Sequence, residues 1–232
     1  MALVLSAHLR PQLTERQLIS VHRQTVRPRQ TVVLVSPGLP VHEGALNGHA
    51  QIRTTFPFTA WWRFQIAASL SAKYVAILDD DTLPAPNWLR AAVSYLTANP
   101  NDCVVSAGLV LDKDNGEQRV GPGAVPKVPT RVDIGLNGWV LRTDLLQQAL
   151  VNIGEPPSSV YGWGIMISYG LQPKGRCVVL PYDDQTAGMT EPPVRDPSCL
   201  SRSPSWSQDH HNVVRSFRSA EWKLLCEPDA PE

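Results

Sequence analysis

Four apolar runs set the limits on this fold. ALVLSA (2–7), TVVLVS (31–36), YVAIL (74–78) and CVVSAGLVL (103–111) read as strands buried on both faces. Stretches with helical spacing lie between them. Pro11 opens one that runs to about Gln24, and a second covers Thr59 to Ala72. A third carries Trp88, Leu89, Ala92, Val93 and Leu96 at i, i+1, i+4, i+5 and i+8. Strands alternating with helices predict an α/β domain whose mostly parallel sheet is flanked by helices. A hydrophobic content of 43% supplies the core such a sheet needs.

Beyond residue 111 the pattern loosens. Residues 112–130 carry Gly, Pro and charge and read as a long loop. RVDIGLNGWVLR (131–142) reads as strand pieces with glycines, Thr143 as the cap of a short helix DLLQQALV, and RCVVLP (176–181) as the last strand. The proline-rich stretch 182–206 reads as a loop. A helix is expected from Ser207, with Val213, Phe217, Ala220 and Leu224 on one stripe, followed by a polar tail. The expected organisation is one domain: a nucleotide-binding and acceptor part over 1–185, with 186–232 packed on it.

Composition removes some functions. The chain has 21 basic and 21 acidic residues in 232, so bulk charge offers no grip on nucleic acid. No run approaches the roughly 18 unbroken apolar residues of a membrane span. The opening MALVLSAHLRP meets charge too early for a signal peptide, which makes a cytoplasmic location the expectation. No CxxC pair occurs among Cys103, Cys177, Cys199 and Cys226, which speaks against a zinc knuckle. Cys103 and Cys177 read as core residues of a reduced protein, with a disulfide left open.

Asp79, Asp80 and Asp81 follow YVAIL directly. Carboxylates repel one another and resist burial, so three of them at the end of a buried strand call for a reason. In open α/β sheets ligands bind at the carboxyl ends of strands. Mg²⁺ or Mn²⁺ takes one or two carboxylates together with substrate phosphates. An acidic turn capping the next helix is the plain alternative. A phosphatase of the DxDxT kind is another, but here Thr82 arrives one place early and the motif follows two strands.

The wider stretch RFQIAASLSAKYVAILDDDTLPAPNWL resembles the metal-binding region of GT-A-fold, family-2-like glycosyltransferases, at Arg63, Phe64, Tyr74, Val75, Asp79 to Thr82, Pro84, Trp88 and Leu89. VDIGLNGWVLRTDLL and ISYGLQPKG resemble later blocks of that family, at Val132, Asp133, Gly135, Trp139 and Arg142, and at Ser168, Tyr169, Leu171, Gln172 and Gly175. The resemblance covers roughly residues 2–185. It implies a Rossmann-like GT-A fold, a nucleotide-sugar donor carrying UDP or GDP, a carbohydrate or other hydroxyl acceptor, and Mn²⁺ or Mg²⁺. It makes Asp81 the strongest metal ligand. Asp79 faces the ribose or the metal, and Asp80 is a middle member. The resemblance also implies that Arg63 lies near the diphosphate and that Asp133, Trp139 and Trp163 contact the substrate. It also suggests a downstream histidine as a third metal ligand, for which His210 and His211 are the candidates.

Two departures from the family pattern stand out. The second strand ends in Ser36-Pro37-Gly38, where relatives often carry an aspartate for the nucleobase. Where they carry an acidic pair that serves as base for inverting transfer, this chain has Trp163-Gly164. Asp183 and Asp184 are the nearest substitutes, and Gly164→Asp is expected to return a carboxylate to the family's place. GWG is similar to the tryptophan-bearing acceptor segment of some galactosyltransferases. A catalytically impaired nucleotide-sugar or glycan-binding protein remains the alternative to an active enzyme.

Overall fold

The computed structural model describes residues 1–8, 10–39, 43–46, 48–55, 60–114, 116–154, 162–183, 189–190, 206–219 and 222–227. In chain order its elements begin with β1 (Ala2–Ala7), α1 (Pro11–His22), β2 (Gln30–Val35), α2 (Glu43–Leu46), β3 (Ala50–Arg53), α3 (Trp61–Ser69) and β4 (Tyr74–Leu78). There follow β5 (Leu83–Pro84), α4 (Trp88–Ala98), β6 (Cys103–Leu111), β7 (Glu117–Val120), β8 (Thr130–Val132) and β9 (Ile134–Arg142). The chain continues with α5 (Thr143–Ile153), α6 (Trp163–Leu171), β10 (Cys177–Val179), β11 (Met189–Thr190) and α7 (Trp206–Ser219).

The main sheet runs β3-β2-β1-β4-β9-β6-β10-β8, with β7 beside β6. The half from β3 to β4 is parallel, as its helical crossovers require. β9 then enters antiparallel to both β4 and β6, so the whole sheet is mixed. β5 and β11 form a separate small pair.

Alternation along each inner strand feeds two layers. Val4, Val32, Leu34, Val75, Ile77 and Leu141 face α3, α5 and α6, meeting Phe64, Leu146 and Ile167. Leu3, Leu5, Val33, Val35, Ala76 and Val140 face α1 and α4, meeting Leu18, Val21, Leu89 and Leu96. A third cluster joins Leu109, Leu111 and Ile134 to Val214, Trp222 and Leu224. This fastens the C-terminal segment to the far end of β6.

Local details depart from the sequence expectations. Residues 112–130 hold β7, since Leu109 to Leu111 leave a free strand edge that Glu117 to Arg119 pair. α7 ends at Ser219, so Leu224 packs from the segment after the helix and not from its stripe. Thr143 opens α5 but makes no capping bond, because its hydroxyl donates to the Ala72 carbonyl. Cys103 and Cys177 are buried register partners and free thiols. Among the described residues no helix is long and apolar enough to cross a membrane.

Candidate functional site: an aspartate turn at the carboxyl end of the sheet

β4 delivers Asp79 to Asp81 to the edge of the sheet, where a turn closes. Thr82 returns its N–H and its hydroxyl to the Asp79 carbonyl, at 3.2 and 3.0 Å. On the other side the Asp79 N–H donates to Asn137 at 3.1 Å. Asn137 has φ 66°, a left-handed backbone that asparagine tolerates better than most residues. The pairing of β6 with β9 shifts register here, and Ser106 bridges the irregularity. Its Oγ accepts from Gly138 N at 2.9 Å and donates to the Leu136 carbonyl. Bulges of this kind re-aim backbone beside functional sites.

One face of α1 holds the turn. Gln17 and Ser20 stand at i and i+3 on that face, and Gln24 lies two residues past the helix end at His22. Gln17 Nε2 donates to the carbonyls of Asp79 and Thr82 at 2.5 and 2.9 Å. Ser20 donates to Pro84 O, and Gln24 Nε2 donates to Ala85 O at 2.7 Å. Gln24 Oε1 accepts the Leu89 N–H at 3.1 Å, supplying the cap that α4 lacks from its own N-cap residue Asn87.

Two buried guanidinium groups balance the three carboxylates. Arg63 Nη1 meets Asp79 Oδ1 at 2.6 Å and donates to the Leu78 carbonyl at 3.1 Å. Arg10 Nη1 meets Asp80 Oδ1 at 2.6 Å and Asp81 Oδ2 at 3.4 Å. Burial pushes the Asp79 carboxyl up to about 7, Arg63 pulls it down, and Asp81 and Asp80 push the same way as burial. Asp81 has the most open side chain, 32% exposed against 18% for Asp79 and 13% for Asp80. Arg63 also lies 5.0 Å from the Trp163 ring, a cation–π contact. At the ends of β1 and β2, His8 Nδ1 and Ser36 Oγ sit 2.7 Å apart. Burial lowers the His8 pKa, and Asp80, Arg63 and Arg10 all act on it. Ser36 thus stands where the family often has an acid.

Arg63, Asp79, Asp80, Asp81 and Trp163 are therefore brought together. Other expected residues have different surroundings. Trp139 is fully buried, edge-on to Phe64 at 5.5 Å and 6.1 Å from Trp163, so it supports Trp163 from beneath. The absent side chain of Gly135 makes room for its ring: a Cβ there would lie 2.6 Å from it. Asp133 is buried, and its two oxygens accept the N–H groups of Leu111 and Leu225 at 2.9 and 2.8 Å. It ties the C-terminal segment to β6. His210 is buried in α7 with Nε2 3.0 Å from Glu117 of β7, and His211 stands beside it. Asp183 is exposed, and Asp184 lies outside the described residues.

Among the described residues no three His, Cys, Asp or Glu side chains are grouped to hold a metal ion by themselves. Asp79 and Asp81 fit the smaller protein share that Mg²⁺ or Mn²⁺ takes when phosphates complete the shell. Gly164 rejects the expected substitution, because a Cβ there would lie 2.8 Å from the Gly135 carbonyl. Arg10, His8, Gln17 and Gln24 were not singled out from the sequence. Gln17 carried one signal, a polar position beside Leu18 and Val21 on α1.

Residues 62–148 match the family described as Glycosyl transferase family 2. No curated protein matches the chain by sequence. Among the solved structures that share the fold is GalNAc-T7, crystallised with UDP, GalNAc and Mn²⁺, at TM-score 0.66 and 16% identity. The match covers 95% of this chain and 49% of that one, so the chain spans about half the length of that protein. Residues 62–148, which contain the aspartate turn, are thus similar to family 2 glycosyl transferases, and the chain shares the GT-A fold of the GalNAc-T7 structure.

Proposed function

We propose that the chain is a metal-dependent glycosyltransferase that moves a sugar from a uridine or guanosine diphosphate donor to a hydroxyl of a carbohydrate or other acceptor. The observation that carries this reading is the turn Asp79–Asp81 at the carboxyl end of β4, held by α1 and flanked by Arg10 and Arg63. Carboxylates kept this close, with cations beside them, suit a diphosphate that arrives with a divalent ion. The Mn²⁺ and UDP held by the fold neighbour support the same choice.

Asp81 and Asp79 would hold Mn²⁺ or Mg²⁺, which when bound offsets charge on the diphosphate leaving group. Arg63, fixed by two backbone carbonyls and Trp163, orients Asp79 and offers positive charge beside it. Trp163 is partly exposed and supplies an aromatic face for a sugar. Inverting transfer needs a base on the acceptor hydroxyl, and this falls to Asp183 or Asp184.

A second reading rests on the closed space at Gly164, which leaves the family's base without a place. That favours a chain that binds donor or glycan without turnover. The test pairs a transfer assay across nucleotide sugars with calorimetry of UDP and GDP in Mn²⁺. Metal-dependent nucleotide binding lost in Asp81→Asn supports the site. Transfer lost in Asp183→Asn or Asp184→Asn supports the enzyme. Binding without any transfer selects the second reading, and no metal-dependent binding removes both.

A further inference from the structure

Arg10 stands in the link between β1 and α1, directly before Pro11. Its backbone is held there, since its carbonyl accepts the Leu13 N–H at 2.9 Å. Gln17, two turns along the same helix, grips the aspartate turn from the same side. The Arg10 side chain is nearly enclosed, and its Nη1 serves two carboxylates unequally. Asp80 Oδ1 lies at 2.6 Å, a charge-assisted hydrogen bond. Asp81 Oδ2 lies at 3.4 Å, a looser ion pair. Asp80 is the more enclosed of the two carboxylates and Asp81 the more open. Arg10 is thus fastened to Asp80 and only leans on Asp81.

A guanidinium keeps its proton at any pH a protein meets, so Arg10 never gives up its claim on Asp81 by titrating. A divalent ion that takes Asp81 must take it from this cation. Charge acts in the same direction. Among the described residues, the three carboxylates of the turn face the two guanidinium groups of Arg10 and Arg63, which leaves one formal negative charge. A divalent ion alone reverses that sign, and a diphosphate brings the negative charge that balances it.

We propose that Arg10 is the resident counter-ion of the turn and competes with the metal for Asp81, so that the site takes a divalent ion weakly by itself and tightly together with a nucleoside diphosphate. The inference rests on the reading of the turn as a metal and diphosphate site. To meet the ion, Asp81 gives up its pairing with Arg10. Arg10 stays on Asp80, and its charge, no longer offset by Asp81, favours the anion that comes next. Arg10 is a positioning residue: it works through Asp81 and needs no contact with the diphosphate. Linkage makes the preference mutual, so the nucleotide tightens the ion as much as the ion tightens the nucleotide.

The test is a titration of Mn²⁺ alone, followed by electron paramagnetic resonance of the free ion, and its repeat with saturating UDP or GDP. In wild type the nucleotide should raise Mn²⁺ affinity at least about fivefold. Arg10→Gln should bind Mn²⁺ alone at least about fivefold more tightly, and the gain from nucleotide should shrink by a similar factor. Arg10→Lys keeps the charge and should return both quantities toward wild type. Loss of Arg10 leaves the largely enclosed Asp80 without its cation, which is costly. Arg10→Gln with Asp80→Asn removes the pair together, keeps the formal charge of the turn and still releases Asp81, so it should also bind Mn²⁺ alone more tightly. A purely structural Arg10 would weaken both bindings together, whereas competition moves them in opposite directions. The proposal is overturned if nucleotide fails to raise Mn²⁺ affinity in wild type, if the Arg10 variants bind Mn²⁺ alone no more tightly than wild type, or if nucleotide gives them its full wild-type gain. Wild type that binds UDP or GDP in Mn²⁺ alongside any of these results keeps the reading of the turn and loses only this inference. Wild type that binds neither nucleotide in Mn²⁺ removes both.

Discussion

Gln17 reaches across 62 residues of sequence to the aspartate turn, and replacing it separates support of the turn from support of the fold. Gln17→Leu keeps the volume and removes two buried hydrogen bonds. The Asp79 carbonyl keeps the Thr82 N–H and hydroxyl, so it is not orphaned. The Thr82 carbonyl loses its Gln17 donor, at a cost of about 1–3 kcal/mol. Against this, Gln17 Oε1 is itself buried without a partner, and its removal returns part of that cost. The net destabilisation should be about 1–2 kcal/mol by urea denaturation. The effect on ligand should be of similar size, because Gln17 pins both ends of the turn that presents Asp79 and Asp81. The dissociation constant for Mn²⁺ with UDP should rise about tenfold, equivalent to about 1.4 kcal/mol. Gln24→Leu provides the contrast. It leaves the Leu89 N–H unmet, while Ala85 O keeps the Trp88 N–H at 3.0 Å, so it should cost about 1–3 kcal/mol of stability. It should affect binding less. Unchanged affinity in Gln17→Leu, or a stability loss above that of Gln24→Leu, would refute the division of labour argued for α1.

Three further outcomes are expected. Asp81→Asn should cut nucleoside diphosphate binding in Mn²⁺ by at least about tenfold while apo stability holds or rises, since one charge leaves a repelling cluster; calorimetry and thermal melts read both. Gly164→Asp should lose about 1–3 kcal/mol and gain no transfer activity, because its Cβ meets the Gly135 carbonyl; a folded, faster variant refutes this. The hydrogen bond from His210 holds the Glu117 carboxyl below its usual range. A group with a depressed folded pKa stabilises above its unfolded pKa and loses that contribution as pH falls through the folded value. Melting temperatures of wild type and Glu117→Gln should therefore differ at pH 6 and converge toward pH 3.

The sequence alone determined the parts whose chemistry is local. A strand buried on both faces must be apolar throughout, so YVAIL and ALVLSA were legible as β4 and β1. Three aspartates after such a strand marked its end as the candidate site. What the tertiary structure decided depends on which distant segments meet. β9 looked like strand pieces, but its antiparallel place between β4 and β6 follows from pairings far along the chain. Trp139 and Trp163 were equally plausible on the substrate, until packing put the first under the second. Asp133 and His210 carried a carboxylate and an imidazole suited to a site, and the fold gave them Leu225 and Glu117 instead. Gln17 and Gln24 were ordinary polar residues until α1 lay against the turn. A polar side chain satisfies itself with whatever group the fold brings within about 3 Å, and no spacing along the chain records that distance.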